Sequence, residues 1–227
     1  RDLQERGDLI QDETGRWVAG EGLDWRTLPT RVEAVIDQRI SRLDELLRDI
    51  LIVASVEGET FTAQVVARIQ GLEERVALQQ LSRELQQRHN LVREYEEMSA
   101  GQRHLSRYRF GHALFQHYLY HKLSLGERRL LHNEVAQTIE ALHEEQPKEI
   151  TAQLAHHYLE AGNRDKALIY LVRAGDQARR VAALDEAARY YRTALEHWPP
   201  HDQAGQAETL RKLGDCLWVA GHLQEAL

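Results

Sequence analysis

Along most of this chain apolar side chains recur every three or four positions, the spacing that turns one face of an α-helix toward a core. The first clear stripe is Val32, Val35, Ile36, Ile40 and Leu43, opened by Pro29 and Thr30, residues suited to a helix start. A second follows Asp44, with Leu46, Leu47, Ile50, Leu51 and Val53 to Val56 forming a face wide enough to be nearly buried before Gly58 stops it. A shorter helix is predicted over Phe61–Ile69, broken by Gly71, and a longer one over Leu72–His89 on Leu72, Val76, Leu78, Leu81 and Leu85. The period then shifts toward two. Leu91–Glu96 and Leu105–Phe110 alternate partly around a polar loop containing Ser99 and Gly101, which predicts a β-hairpin. Two helices follow, His112–Leu123 and Glu127–Glu145, and Pro147 ends the run. Upstream, Leu9-Ile10 and Trp17-Val18 flank the turn-forming Asp12-Glu13-Thr14-Gly15, so residues 1–25 read as a helix end and a small hairpin.

From Lys148 the pattern becomes a series of Ala-rich helices joined by Gly or Pro turns, resembling the roughly 34-residue unit of tetratricopeptide repeats. Ala155, Tyr158, Gly162, Ala167, Leu171 and Ala174 occupy the offsets where that unit needs small and large packing residues. Ala187, Tyr191, Ala194 and Pro199 repeat its second half, and Leu210, Leu213, Gly214, Leu217, Gly221 and Ala226 restart the first. Small residues let paired helices approach closely, and Tyr or Leu fills the neighbouring groove. The expected fold is mainly all-α: a winged-helix-like module with a small β-hairpin wing, then tetratricopeptide-like α-hairpins. The expected division is 1–27, the tail of a preceding domain; 28–146, the winged-helix-like module and its connecting helices; and 147–227, the repeats.

Composition narrows the function. A formal charge of -7, from 29 Lys and Arg against 36 Asp and Glu, disfavours a general phosphate-backbone binder. The candidate recognition helix offsets Arg75, Arg83 and Arg88 with Glu73, Glu74 and Glu84, and the wing carries Glu94, Glu96 and Glu97, whereas a groove reader concentrates cations. The only cysteine, Cys216, allows no disulfide within the chain and no thiolate cluster, and fits a reducing cytoplasm. The longest apolar run, Ile50–Val56, is far shorter than the roughly 20 residues of a membrane span. A first residue other than Met and a last helix begun near Leu227 read as a piece of something longer.

No Gly-x-x-x-x-Gly-Lys-Ser/Thr phosphate loop occurs; Gly15 to Gly20 has the spacing, but Glu21 stands where Lys is needed. No nucleophile elbow is present, so the chain reads as non-catalytic. His117 and His121 lie i,i+4, but two ligands do not close a metal site; adjacent His156-His157 is a still weaker signal, and no metal is assigned.

Leu28-Pro29 followed by Ile36, Arg39, Ile40 and Leu43, then Tyr108-Arg109-Phe110-Gly111-His112-Ala113-Leu114, and Tyr120, Leu123, Arg128, Arg129, Leu131, His132 and Ala136 together resemble a known arrangement. It is the region between ATPase and sensor in bacterial STAND-class signalling ATPases, including those attached to nucleotide cyclases or LuxR-type regulators. The resemblance implies a P-loop ATPase upstream, ADP or ATP bound there rather than to this chain, and a partner protein, peptide or small inducer on the repeats. It further implies that His112, with Arg109 beside it in sequence, senses the nucleotide from the winged-helix-like module. Related animal and plant proteins usually carry Asp after that histidine; here the residue is Ala113. The alternatives are a free-standing repeat scaffold and, last, a DNA-binding regulator arm.

Overall fold

The computed structural model describes residues 9–11, 17–19, 30–100, 103–143, 150–199 and 202–221. The described chain is mainly helical with a small antiparallel sheet, as its periodicity requires. The expected helix end before residue 9, Leu28-Pro29, Pro147 and Ala226 lie outside the described residues. It divides into two compact units, Arg1–Leu131 and His132–Leu227. The dividing point precedes the expected one at 146/147, because the second half of a helix expected in the first module folds with the repeats.

In the first unit, β1 (Leu9–Gln11) pairs antiparallel with β2 (Trp17–Ala19), the hairpin expected there. Helix α1 spans Thr30–Ser41 and α2 spans Glu45–Glu57. Asp44 starts α2 by accepting the Leu47 N–H at 2.8 Å, and Gly58 ends it at φ 139°, a conformation that favours glycine. The face of α2 was expected to be buried, and Leu47, Ile50, Leu51, Val53, Ala54 and Val56 are. Val35, expected in the buried stripe of α1, is instead 57% exposed.

Phe61 corrects the predicted Phe61–Ile69 helix. Thr60–Thr62 forms strand β3, and only Ala63–Ile69 is helical, as α3. Three residues cannot display a period of two, and the buried Phe61 ring reads equally as a helix position. The predicted Leu72–His89 helix is also not uniform. It runs as α4 (Glu74–Gln79) and then widens over Gln80–Arg88 into a π-type segment, with His89 N–H donating five residues back to Glu84 O at 2.9 Å. Leu81 and Leu85, both within this segment, are fully buried.

Strands β4 (Val92–Ala100) and β5 (Arg103–Phe110) form the expected hairpin, but β3 adds to its other edge, giving the order β3-β5-β4. A buried amide ties the sheet to α3: Gln64 Nε2 donates to Glu74 at 2.7 Å, and its Oε1 accepts the Ser106 N–H at 3.0 Å. Helix α5 (Ala113–Lys122) packs on α2, and Gln116 Nε2 donates to Ser55 O at 2.7 Å. Helix α6 (Leu125–Leu142) follows. Arg128 reaches back from it to the end of α5, donating to the carbonyls of Tyr120 (3.0 Å) and His121 (3.1 Å), acceptors that a helix leaves over at its C-terminus.

The second unit continues with α7 (Thr151–Glu160), α8 (Arg164–Arg180), α9 (Leu184–Glu196) and α10 (Gln203–Ala220). From α7 onward each helix packs on its neighbour in sequence, as expected of antiparallel hairpins joined by short turns. No helix among the described residues is long and apolar enough to cross a membrane.

Candidate functional site

The chain reaches His112 through Gly111, which passes close to the start of β4. Gly111 N–H donates to Leu91 O at 2.7 Å, and a Cβ here would stand 3.2 Å from Asn90 O, so a side chain would push the strand end away. His112 then caps α5: in extended conformation (φ -150°, ψ 135°) its Nδ1 accepts the Leu114 N–H at 3.2 Å. Accepting at Nδ1 uses that lone pair, which puts the ring proton on Nε2. The ring borders an apolar groove of about 390 Å³ with Val32, Val35, Ile36, Leu114 and Phe115.

Arg109 is placed differently. A register shift between Glu94 and Glu96 leaves Tyr95 as a bulge in β4, and the Arg109 guanidinium lies 4.6 Å over its ring. Arg109 does not line the groove beside His112. Of the cations on the candidate recognition helix, Arg75, Arg83 and Arg88 are all exposed, and Arg88 pairs with Glu84 at 3.0 Å. His117 and His121 stack with ring centroids 6.3 Å apart; burial and then His121 hold His117 below its ordinary pKa, against the pull of Glu59.

In the helical stack, Ala155, Tyr158, Ala167, Leu171, Ala174, Ala187, Tyr191, Ala194 and Leu217 are buried, while Leu213 and Gly214 are half-buried. Gly162 (φ 72°) and Gly221 (φ 86°) take left-handed turns after α7 and α10. Leu210, placed in the packing pattern from spacing, is 52% exposed; Thr209 is buried one position earlier.

Two polar arrangements of the same design escaped sequence reading. In the first, Glu140 on α6 accepts from Tyr158 (2.5 Å) on α7 and from Lys166 (2.6 Å) and Tyr170 (2.6 Å) on α8. In the second, Asp176 on α8 accepts from Tyr191 (2.7 Å) on α9 and Lys212 (2.8 Å) on α10. In both, the lysine also faces the tyrosine ring, at 5.3 and 6.0 Å. Burial pushes both carboxyls up, but hydrogen bonds from Lys166, Tyr158 and Tyr170 outweigh it for Glu140, and those from Lys212 and Tyr191 for Asp176, leaving both below their ordinary values. Tyr170 is pushed to about 12 by burial and by its bond to Glu140. The sequence hint was the recurrence of Tyr158 and Tyr191 about one repeat length apart, although the spacing had placed them in different halves of the unit; the acids and lysines have no fixed spacing from them.

A groove of about 210 Å³ crosses the stack, lined by Ala152, Ala174, Gln177, Ala178, Val181, Glu186 and Tyr190. Histidines also gather in this unit. His156-His157 is joined by His132 from α6, which sequence reading had assigned no ligand role; three donor nitrogens, one from each, lie within 4.8 Å of one another. Comparison with protein-family models, with curated proteins and with solved structures finds no match.

Proposed function

We propose that this chain is the non-catalytic, regulatory part of a signal-transduction ATPase. The first unit, read as a winged-helix-like module, docks on an ATPase domain and contributes His112 to the ADP-held closed state. The hairpins of the second unit, read as tetratricopeptide-like repeats, take a protein, a peptide or a small inducer. Binding there favours an open state and so couples signal to nucleotide, a two-state coupling.

The observation that carries this reading is the setting of His112. It stands at the start of α5 with Nδ1 spent on the cap, so Nε2 carries the proton, and an imidazole N–H at a helix N-terminus is chemically suited to a phosphate oxygen. The apolar groove beside it supplies a surface for an adjoining domain.

The test uses the protein in which this chain follows its ATPase domain. Purified wild type, His112→Ala and His112→Asn are denatured and the released nucleotide is chromatographed. Asparagine can replace the cap but not the imidazole. Near-stoichiometric ADP in wild type, lost from both variants, is the expected result. ADP retained by His112→Asn separates the ring from nucleotide sensing and refutes the role. A wild type without nucleotide favours the second reading, a scaffold for protein partners. That reading is supported by the groove lined by Ala152, Ala174 and Ala178 together with Gln177, Glu186 and Tyr190, a mixture of small and hydrogen-bonding side chains that suits an extended peptide.

A further inference from the structure

Helices α6 and α7 bring three imidazoles to one place. His132 and His157 are buried, and their Nδ1 atoms face each other at 2.8 Å. His156 is exposed, its ring edge-on to His132 with centroids 5.7 Å apart, and 5.3 Å from the ring of His157. Facing nitrogens at that distance hold one proton between them, so one ring donates and the other accepts. His157 Nε2 is buried without a hydrogen-bond partner among the described residues. That nitrogen is not part of the facing pair; what points to an ion is that one ring nitrogen from each of the three histidines lies within 4.8 Å of the others.

We propose that His132, His156 and His157 form a binding site for one divalent transition-metal ion, with Zn²⁺ the natural occupant. Three imidazoles suit Zn²⁺, Cu²⁺ or Ni²⁺; Ca²⁺ and Mg²⁺ require oxygen ligands, and none of the three residues supplies one. Zinc at about 2.0–2.1 Å from each nitrogen sets tetrahedral ligands roughly 3.3 Å apart. The His132–His157 pair therefore has to open by only about half an ångström, and the proton between the rings moves to the Nε2 of the ring that carried it. The exposed His156 gives the ion its way in, and water completes the fourth position. Metal binding needs neutral imidazole, so Zn²⁺ should bind more weakly as pH falls. The bound ion would staple α6 to α7, the two helices that carry Glu140 and Tyr158.

The experiment uses the full chain, stripped by chelator dialysis and titrated calorimetrically with Zn²⁺, with Co²⁺ as a spectroscopic probe and Mg²⁺ as a control. His156→Ala alters an exposed side chain, and His156→Gln is a second variant at the same position. His121→Ala tests the other histidine pair. The expected result is one Zn²⁺ per chain and visible tetrahedral Co²⁺ bands. Zinc at a hundredfold excess over Kd should raise Tm by roughly 5–10 °C. Both His156 variants should weaken binding at least tenfold and lose the bands, His121→Ala should change neither, and Mg²⁺ should not bind. Zinc binding absent from the wild type, unchanged in the His156 variants, or lost in His121→Ala overturns the proposal and leaves a neutral histidine hydrogen bond.

Discussion

Gly175 lies inside α8, where alanine is ordinarily the better residue by about 0.8–1.0 kcal/mol. At this position alanine should instead destabilise the protein. A Cβ on Gly175 would stand 2.5 Å from Tyr191 Cε1, 2.8 Å from Cδ1 and 2.9 Å from Cζ, where carbon atoms normally approach no closer than about 3.5 Å. The ring has to retreat by roughly 1 Å, and it is held on more than one side. Tyr191 is fully buried, its hydroxyl donates to Asp176, and Lys212 binds the same carboxylate while facing the ring. Overpacking costs about 1–3 kcal/mol, and weakening a hydrogen bond to a charged acceptor costs up to a similar amount. Against these the propensity gain is smaller, so Gly175→Ala should lose about 1–3 kcal/mol, or roughly 2–12 °C in Tm for a chain of this size. Urea denaturation followed by far-ultraviolet circular dichroism measures it. Gly126, in the first turn of α6, has nothing within 4 Å of an added Cβ, so Gly126→Ala isolates the propensity effect and should be neutral to stabilising. The double variant Gly175→Ala/Tyr191→Leu should be less destabilised than the sum of its parts, because the second change removes the ring that the first one strikes. A Gly175→Ala protein as stable as the parent refutes the packing argument.

Glu140→Gln keeps shape but removes the charge that Tyr158, Tyr170 and Lys166 share; it should cost about 1–3 kcal/mol in the same assay, whereas Lys166→Met, removing a partner 43% exposed, should cost less than about 1. A Glu140→Gln protein within error of the parent would remove the arrangement from the account of stability. Asp176 sits below its ordinary value of 3.8 because its hydrogen bonds outweigh its burial. Its folded-state pKa is lower than its unfolded one, so its contribution is fully present above the unfolded value and is lost as pH falls through the folded one. The stability gap between wild type and Asp176→Asn should therefore be constant near neutrality and shrink below about pH 4, and a gap independent of pH contradicts the sign.

Elements with a long periodic stripe were legible in the sequence; those fixed by partners distant along the chain were not. The stripe of α2, bounded by Asp44 and Gly58, needed only local spacing to read. Strand β3 is three residues long, and what makes it a strand is its pairing of Phe61 with Tyr108, an edge that no local pattern announces. The change of pitch over Gln80–Arg88 is hidden because Leu81 and Leu85 satisfy either winding. Val35 and Leu210 show the reverse failure: the period is present, but no neighbour among the described residues covers them. At the candidate site, the position of His112 after a strand was readable, but the use of its Nδ1 as a helix cap was not. Histidine spacing along a helix drew attention to His117 and His121, whereas the buried ring contact is between His132 and His157, 25 positions apart on different helices.

The two carboxylate–tyrosine–lysine arrangements do work that the alanines cannot. Ala155, Ala167, Ala174, Ala187 and Ala194 make smooth interfaces whose close approach is favourable but nearly the same after a small slide along the helix axis. A buried tyrosine hydroxyl has no such freedom, since it has to meet its acceptor or lose a hydrogen bond in a low-dielectric setting. Glu140 joins α6, α7 and α8, and Asp176 joins α8, α9 and α10, so each acid fixes three consecutive helices and α8 belongs to both sets. Gly175 adds a steric slot beside the second acid, accepting Tyr191 at one height only. Apolar packing thus supplies the attraction in this stack, while two acids and one missing side chain select its register. The groove over α7, α8 and α9 is defined by that same register, because Ala174, Gln177 and Ala178 lie within four residues of Asp176 along α8. A slide of one residue at α8 would carry Ala174, Gln177 and Ala178 along and reshape this groove, so its shape depends on the hydrogen bonds that hold Asp176 in place.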